Sequence, residues 1–161
     1  RVVGLTCKRS KAYWLVTEVG YDLVFERETQ SDLDRSLRDS VPEGIDVYFD
    51  NVGGRVLDTV MAQLTEGARI ALSGAISEYE GPVEPLFNSY ELVTKRVRME
   101  GFMVTDHGEQ FPEIIEDLQN RLADGTLKSF EQIYSGLSET PRAFCDMMHG
   151  ASRGKCLVGL E

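Results

Sequence analysis

The sequence predicts an α/β fold built on a doubly wound parallel sheet, and three observations lead there. Short apolar runs alternate with segments whose apolar residues recur at i, i+3, i+4 and i+7, the pattern of strand-helix-strand units. The run Ala68 to Ser73 is almost wholly apolar, as a strand covered on both faces requires. Three runs end in glycine and small polar residues: Ile45 to Phe49 into Asp50-Asn51-Val52-Gly53-Gly54, Ala68 to Ser73 into Gly74-Ala75-Ile76-Ser77-Glu78-Tyr79, and Met99 to Val104 into Thr105-Asp106-His107-Gly108. Ligands of open α/β sheets bind beyond the carboxyl ends of the strands, so these tips read as one side of a nucleotide crevice.

In chain order, Arg1 to Thr6 is a first strand. Ala12, Leu15, Val16 and Val19 mark a helix that Gly20 ends as a left-handed cap. Tyr21 to Glu26 is a second strand. Ser31 and Asp34 resemble a capping pair for a helix carrying Leu33, Leu37 and Val41, stopped by Pro42 and Gly44. After the central strand a helix starts near Arg55, shows Val56, Leu57, Val60, Met61 and Leu64 on one face, and stops at Glu66-Gly67. Residues 77–87, with Gly81, Pro82 and Pro85, form a loop over the strand ends. Asn88 and Glu91 cap a short helix to Lys95, and the strand Val97 to Val104 follows. Phe111, Ile114, Ile115, Leu118 and Leu122 line a longer helix stopped by Asp124-Gly125. Beyond it come a strand at Phe130 to Tyr134, a helix opened by Thr140-Pro141 with Ala143, Phe144, Met147 and Met148 inward, and a strand at Cys156 to Leu160.

The 161 residues are 42% hydrophobic and 27% charged, an ordinary globular balance. Seventeen Lys and Arg against 27 Asp and Glu give −10, which argues against nucleic acid or an anionic membrane as partner. No apolar run approaches the roughly 20 residues of a membrane helix, and the first residues show no signal-peptide pattern. Cys7, Cys145 and Cys156 stand far apart, and His107 and His149 are isolated. We therefore expect reduced thiols, a cytoplasmic setting and no metal site.

Four motifs carry a resemblance: FDNVGG (Phe49 to Gly54), GARI (Gly67 to Ile70), SGAISEY (Ser73 to Tyr79) and VTKRVRMEGFMVTD (Val93 to Asp106). In this order they resemble the zinc-independent medium-chain dehydrogenase/reductases, in the alkenal double-bond reductase branch that includes leukotriene B4 dehydrogenase and the prostaglandin reductases. The resemblance implies an incomplete Rossmann-type domain over residues 1–126, lacking the first strand and glycine-rich phosphate loop. It also implies a segment, 127–161, that belongs to a GroES-like catalytic domain outside this chain. Its cofactor is NADPH, its parent a homodimer.

The resemblance also places the functional residues. Lys11 matches the lysine at the 2′-phosphate of NADPH, with Lys8 and Arg9 close enough to share that role, and Arg27 stands near a tyrosine position at the same phosphate. Asn51, Val52 and Gly53 match the segment along the nicotinamide ribose. Ser73, Gly74, Ile76 and Ser77 follow at the next tip, and Phe102 and Val104 match positions whose backbone meets the carboxamide. Tyr79 matches a tyrosine proposed to protonate the reduced substrate or steady its enolate. Ser152 replaces a cofactor-contacting asparagine. The activity implied is hydride delivery to the β-carbon of an α,β-unsaturated aldehyde or ketone, with a quinone as an alternative substrate. A rival expectation is a non-catalytic α/β oligomerisation module, favoured by the missing phosphate loop.

Overall fold

A computed structural model describes residues 1–26, 30–79 and 83–160, the side chains of 30 and 31 excepted. The expectations for Arg27, Ser31, Gly81 and Pro82 lie outside that description. The chain forms two compact units, one of residues 1–26 with 109–161 and one of residues 27–108. Both are α/β, with parallel strand pairing throughout.

The unit of residues 27–108 carries a three-stranded sheet in the order β3-β4-β5. Helix α2 (Gln30–Ser40) precedes β3 (Ile45–Asp50), which leads through a tight turn into α3 (Gly54–Ala62), β4 (Leu64–Leu72), the short α4 (Glu91–Thr94) and β5 (Arg98–Gly101). The two helical stripes read from the sequence form its core: Leu33, Leu37 and Val41, with Val56, Leu57, Val60 and Met61, are all buried. Their burial removes about 1.5 to 3 kcal/mol of apolar exposure per large side chain.

Two boundaries differ from expectation. Helix α3 ends at Ala62, and β4 begins at Leu64 instead of after Glu66-Gly67. The register slips between Ile45, opposite Leu64, and Val47, opposite Arg69. Gly67 lies in the slipped segment at φ 75° and donates to the Lys95 carbonyl at 2.7 Å, so a bulge took the appearance of a helix stop. Strand β5 ends at Gly101, because from Val104 the chain coils into a 3-10 turn. The Asn88 side chain does not cap α4 but donates to Asp58 Oδ2 at 2.9 Å, while its backbone N–H donates to Asp58 Oδ1 at 2.7 Å. With the Arg55–Glu84 ion pair at 2.7 Å, these bonds strap residues 84–88 onto α3.

In the other unit β1 (Val3–Thr6) pairs with β2 (Leu23–Glu26), and β6 (Glu131–Ser135) with β7 (Lys155–Gly159). Helix α1 (Arg9–Trp14) continues as a π-helical turn over Leu15–Val19 and closes on Gly20 at φ 94°, the expected cap. Trp14 meets Phe130 edge to face at 5.0 Å, which joins α1 to the segment before β6. Helices α5 (Phe111–Ala123) and α6 (Thr140–Met148) form where predicted, but their faces are not buried. Phe111, Ile114, Ile115, Leu118 and Leu122 are 37–51% exposed, and of the four residues expected inward on α6 only Ala143 is buried. Periodicity identified the apolar faces, which are only partly covered.

Candidate functional site

The tips of β3 and β4 form one hydrogen-bonded platform. Asp50, the last residue of β3, is fully buried. Its Oδ1 accepts from the Tyr48 hydroxyl and the Val52 N–H, both at 2.8 Å, and both carboxylate oxygens accept from Gly53 N–H at 3.1 Å. An anion just before the N-terminus of α3 also suits the helix dipole. The Asp50 carbonyl then accepts from Ser73 N–H at 2.8 Å and Gly74 N–H at 3.2 Å. Farther out, Ile76 N–H donates to the Asn51 carbonyl at 3.1 Å, and Ser77 donates to the Val52 carbonyl from its N–H at 3.0 Å and its Oγ at 2.6 Å. Two loops more than twenty residues apart are thereby held in one geometry.

Glycine is required at the crossing. Gly53 has φ 71° and ψ −161°, and a Cβ there would stand 3.1 Å from that of Ala75. Gly54, at φ 53°, would place one 2.8 Å from Ser77 Oγ. Any side chain would separate the tips.

The platform borders a cleft of about 510 Å³ lined by Leu57, Leu72, Leu86, Phe102 and Met103, by Gly53, Gly54, Ser73, Gly74, Ala75 and Gly101, and by Asp50, Glu78 and Asp106. Phe102 donates its N–H to the Leu72 carbonyl at 3.2 Å, and its ring lies 6.1 Å from Phe49 and 6.4 Å from His107. Asp106 Oδ2 accepts from Met103 N–H at 3.3 Å. Apolar side chains and glycines dominate this lining, which suits a partly apolar ring.

The structure brings Asn51, Val52, Gly53, Ser73, Gly74, Ile76 and Ser77 together on the platform, and Phe102 onto the cleft wall. Val104 and Tyr79 are exposed and line none of it; Tyr79 follows the 3-10 turn Ile76–Glu78 with its ring 71% exposed. Sequence reasoning passed over Asp50 as a working residue. Its signal was an aspartate directly before Asn-Val-Gly-Gly at the end of an apolar strand.

Lys11 belongs to the other unit, on α1, where it is half-buried. Burial pulls its pKa below the ordinary 10.5, the charge of Lys8 pulls it further, Cys7 opposes this, and Arg153 adds to the lowering. Gly150 lies beside it, with its Cβ direction 4.0 Å from Lys11 Nζ. Ser152, in the same turn as Gly150, is buried. Among the described residues no group of three or more His, Cys, Asp or Glu is arranged to hold a metal.

Parallel β-α-β pairing with glycine-rich strand tips defines a nucleotide-binding α/β module of the Rossmann type. Residues 1–120 match the family model described as zinc-binding dehydrogenase, and the chain belongs to that family. It is 37% identical to prostaglandin reductase 1 of Rattus norvegicus, across 98% of this chain and 49% of that protein. It is 35% identical to the NADP(+)-dependent 2-alkenal reductase of Nicotiana tabacum, across 98% of this chain and 46% of that protein. The structure superposes on CurA of Vibrio vulnificus in complex with NADPH with a TM-score of 0.87 at 34% identity, covering all of this chain and 50% of CurA. The chain thus spans about half the length of the relatives it matches.

Proposed function

We propose that this chain is the cofactor-binding part of an NADPH-dependent reductase that adds hydride to the β-carbon of α,β-unsaturated aldehydes or ketones. The observation that carries this reading is the platform of two cross-tied strand tips beside a largely apolar cleft, in a chain similar to NADP-dependent alkenal reductases. NADPH supplies the hydride when bound. The chain's own residues hold it: Gly53 and Gly74 let backbone approach, Asn51 offers a donor and an acceptor, and Phe102 forms an apolar wall. Ser73, Ile76, Ser77 and Val104 complete the same stretch, and Lys11 supplies the cation for the 2′-phosphate. Residues 1–126 make up the dinucleotide-binding part, and 127–161 return to a catalytic domain.

Hydride addition leaves an enolate that needs one proton, and Tyr79, on the turn anchored to the platform, is the donor in this reading. Free thiols at Cys7, Cys145 and Cys156 suit a reducing, cytoplasmic compartment, and a homodimeric parent completes the proposal. NADPH oxidation by the complete protein that carries this chain tests it. Enal-dependent turnover with NADPH well above NADH is expected, and Tyr79→Phe should lower kcat by about 10² with little change in the KM for NADPH. Turnover with quinones but not enals would overturn the substrate assignment.

A further inference from the structure

The turn between α6 and β7 carries Arg153 and runs past Lys11 at Gly150. Its path is held at both ends: Gly150 N–H donates to the Met147 carbonyl at 3.0 Å, Ala151 N–H to Asp146 at 2.7 Å, Arg153 N–H to Gln132 Oε1 at 3.1 Å, and Lys155 N–H to Phe130 at 2.7 Å. Gly154 has φ 71°, and a Cβ on it would run into the Phe130 carbonyl. The Trp14–Phe130 ring contact holds α1 against the same segment, and a Cβ on Gly150 would stand 4.0 Å from Lys11 Nζ. Ser152, where the resemblance expects a cofactor contact, is turned inward and buried, whereas the next residue, Arg153, is exposed.

In a chain of net charge −10, Lys8, Lys11 and Arg153 share this corner, and among the described residues none of the three forms an ion pair with a carboxylate. Burial lowers the Lys11 pKa first, and the charges of Lys8 and Arg153 lower it further, the direction expected of neighbouring cations. Like charges brought close repel one another, and a dianion in their midst reverses that sign.

We propose that Arg153 is a specificity-determining residue, a third cation that with Lys8 and Lys11 takes a phosphomonoester, the 2′-phosphate on the adenosine half of NADPH. The expected asparagine contact has moved by one residue and changed from a neutral amide to a guanidinium, whose planar fork suits phosphate. The inference rests on the NADPH reading, and the two fail differently in one calorimetric experiment on the complete protein that carries this chain.

The probes are 2′,5′-ADP and 5′-AMP, each titrated at two salt concentrations. The wild type should prefer 2′,5′-ADP. Arg153→Leu should weaken 2′,5′-ADP about five- to tenfold, leave 5′-AMP unchanged and flatten the salt dependence, while Arg153→Lys should restore part of the loss. If Arg153→Leu binds 2′,5′-ADP with wild-type affinity and salt dependence while Lys11→Ala loses it, the role of Arg153 is overturned and the NADPH reading stands. A wild type with no preference for 2′,5′-ADP over 5′-AMP overturns both.

Discussion

Replacing Asp50 by alanine should undo the strand-tip platform. The carboxylate is fully buried and accepts from the Tyr48 hydroxyl, Val52 N–H and Gly53 N–H. A hydrogen bond to a charged group contributes about 1.5 to 3 kcal/mol net, and a donor left buried without a partner costs about 1 to 3 kcal/mol. Gly53 is buried and Val52 half-buried, so losing both backbone bonds should cost on the order of 4 kcal/mol, a large share of a typical domain stability of about 5 to 15 kcal/mol. Asp50→Asn keeps an acceptor oxygen and should cost about half as much. The only tryptophan, Trp14, lies in the other compact unit, so its fluorescence is a poor reporter. Amide hydrogen exchange reads the platform directly. Protection at Val52, Gly53, Ser73, Gly74, Ile76 and Ser77 should fall together by about 10³ in Asp50→Ala, and by 10- to 100-fold in Asp50→Asn. Unchanged protection at Ile76 and Ser77, whose acceptors are the carbonyls of the loop that Asp50 shapes, would refute the claim that its carboxylate holds the two tips together.

Four further outcomes are expected. Gly154→Ala forces a left-handed backbone onto a residue with a Cβ and drives that atom into the Phe130 carbonyl; it should cost about 2 to 4 kcal/mol, and a melting temperature within a degree or two of wild type would disprove the packing of that turn. Lys11→Ala in the complete protein should raise the KM for NADPH about ten- to a hundredfold and leave that for NADH nearly unchanged. Because burial and neighbouring cations lower the Lys11 pKa, the folded state gives up this proton before the unfolded chain does. Its cost to stability therefore fades as pH rises through the lowered value, while discrimination for NADPH, which needs the ammonium, declines over the same window below 10.5; discrimination constant up to 10.5 would remove Lys11 from the phosphate site. Finally, among the described residues β1 and β3 each pair along one edge only, and Val47 and Phe49 on β3 are both 57% exposed. The 161-residue chain alone should therefore self-associate; a monodisperse monomer on size exclusion would contradict this.

Much of the fold was legible in the sequence because its determinants are local. Leu33, Leu37 and Val41, and Val56, Leu57, Val60 and Met61, are buried because their spacing puts them on one side of a helix, a property of the 3.6-residue turn that needs no tertiary information. Gly20 ends the first helical segment for an equally local reason, its ease in left-handed backbone. Strand tips rich in glycine likewise announced the turn in which Gly53 and Gly54 take positive φ.

What depends on distant pairing was hidden. The start of β4 at Leu64 follows from a register slip against β3, and a slip looks like a turn until its partner strand is known. The apolar stripe of α5 is written plainly in the sequence, but whether it is covered depends on what packs against it, and here it stays open. Asp50 reads as an ordinary strand-end residue until the fold buries its carboxylate under the amides of the following turn. Lys11 and the turn at Gly150, far apart in the chain, come together only because the segment before β6 packs on α1 and the turn before β7 folds back against it. Periodicity and backbone preference are short-range and can be read along the chain; charge convergence and hydrogen-bond closure are set by proximity in space, which only the tertiary structure decides.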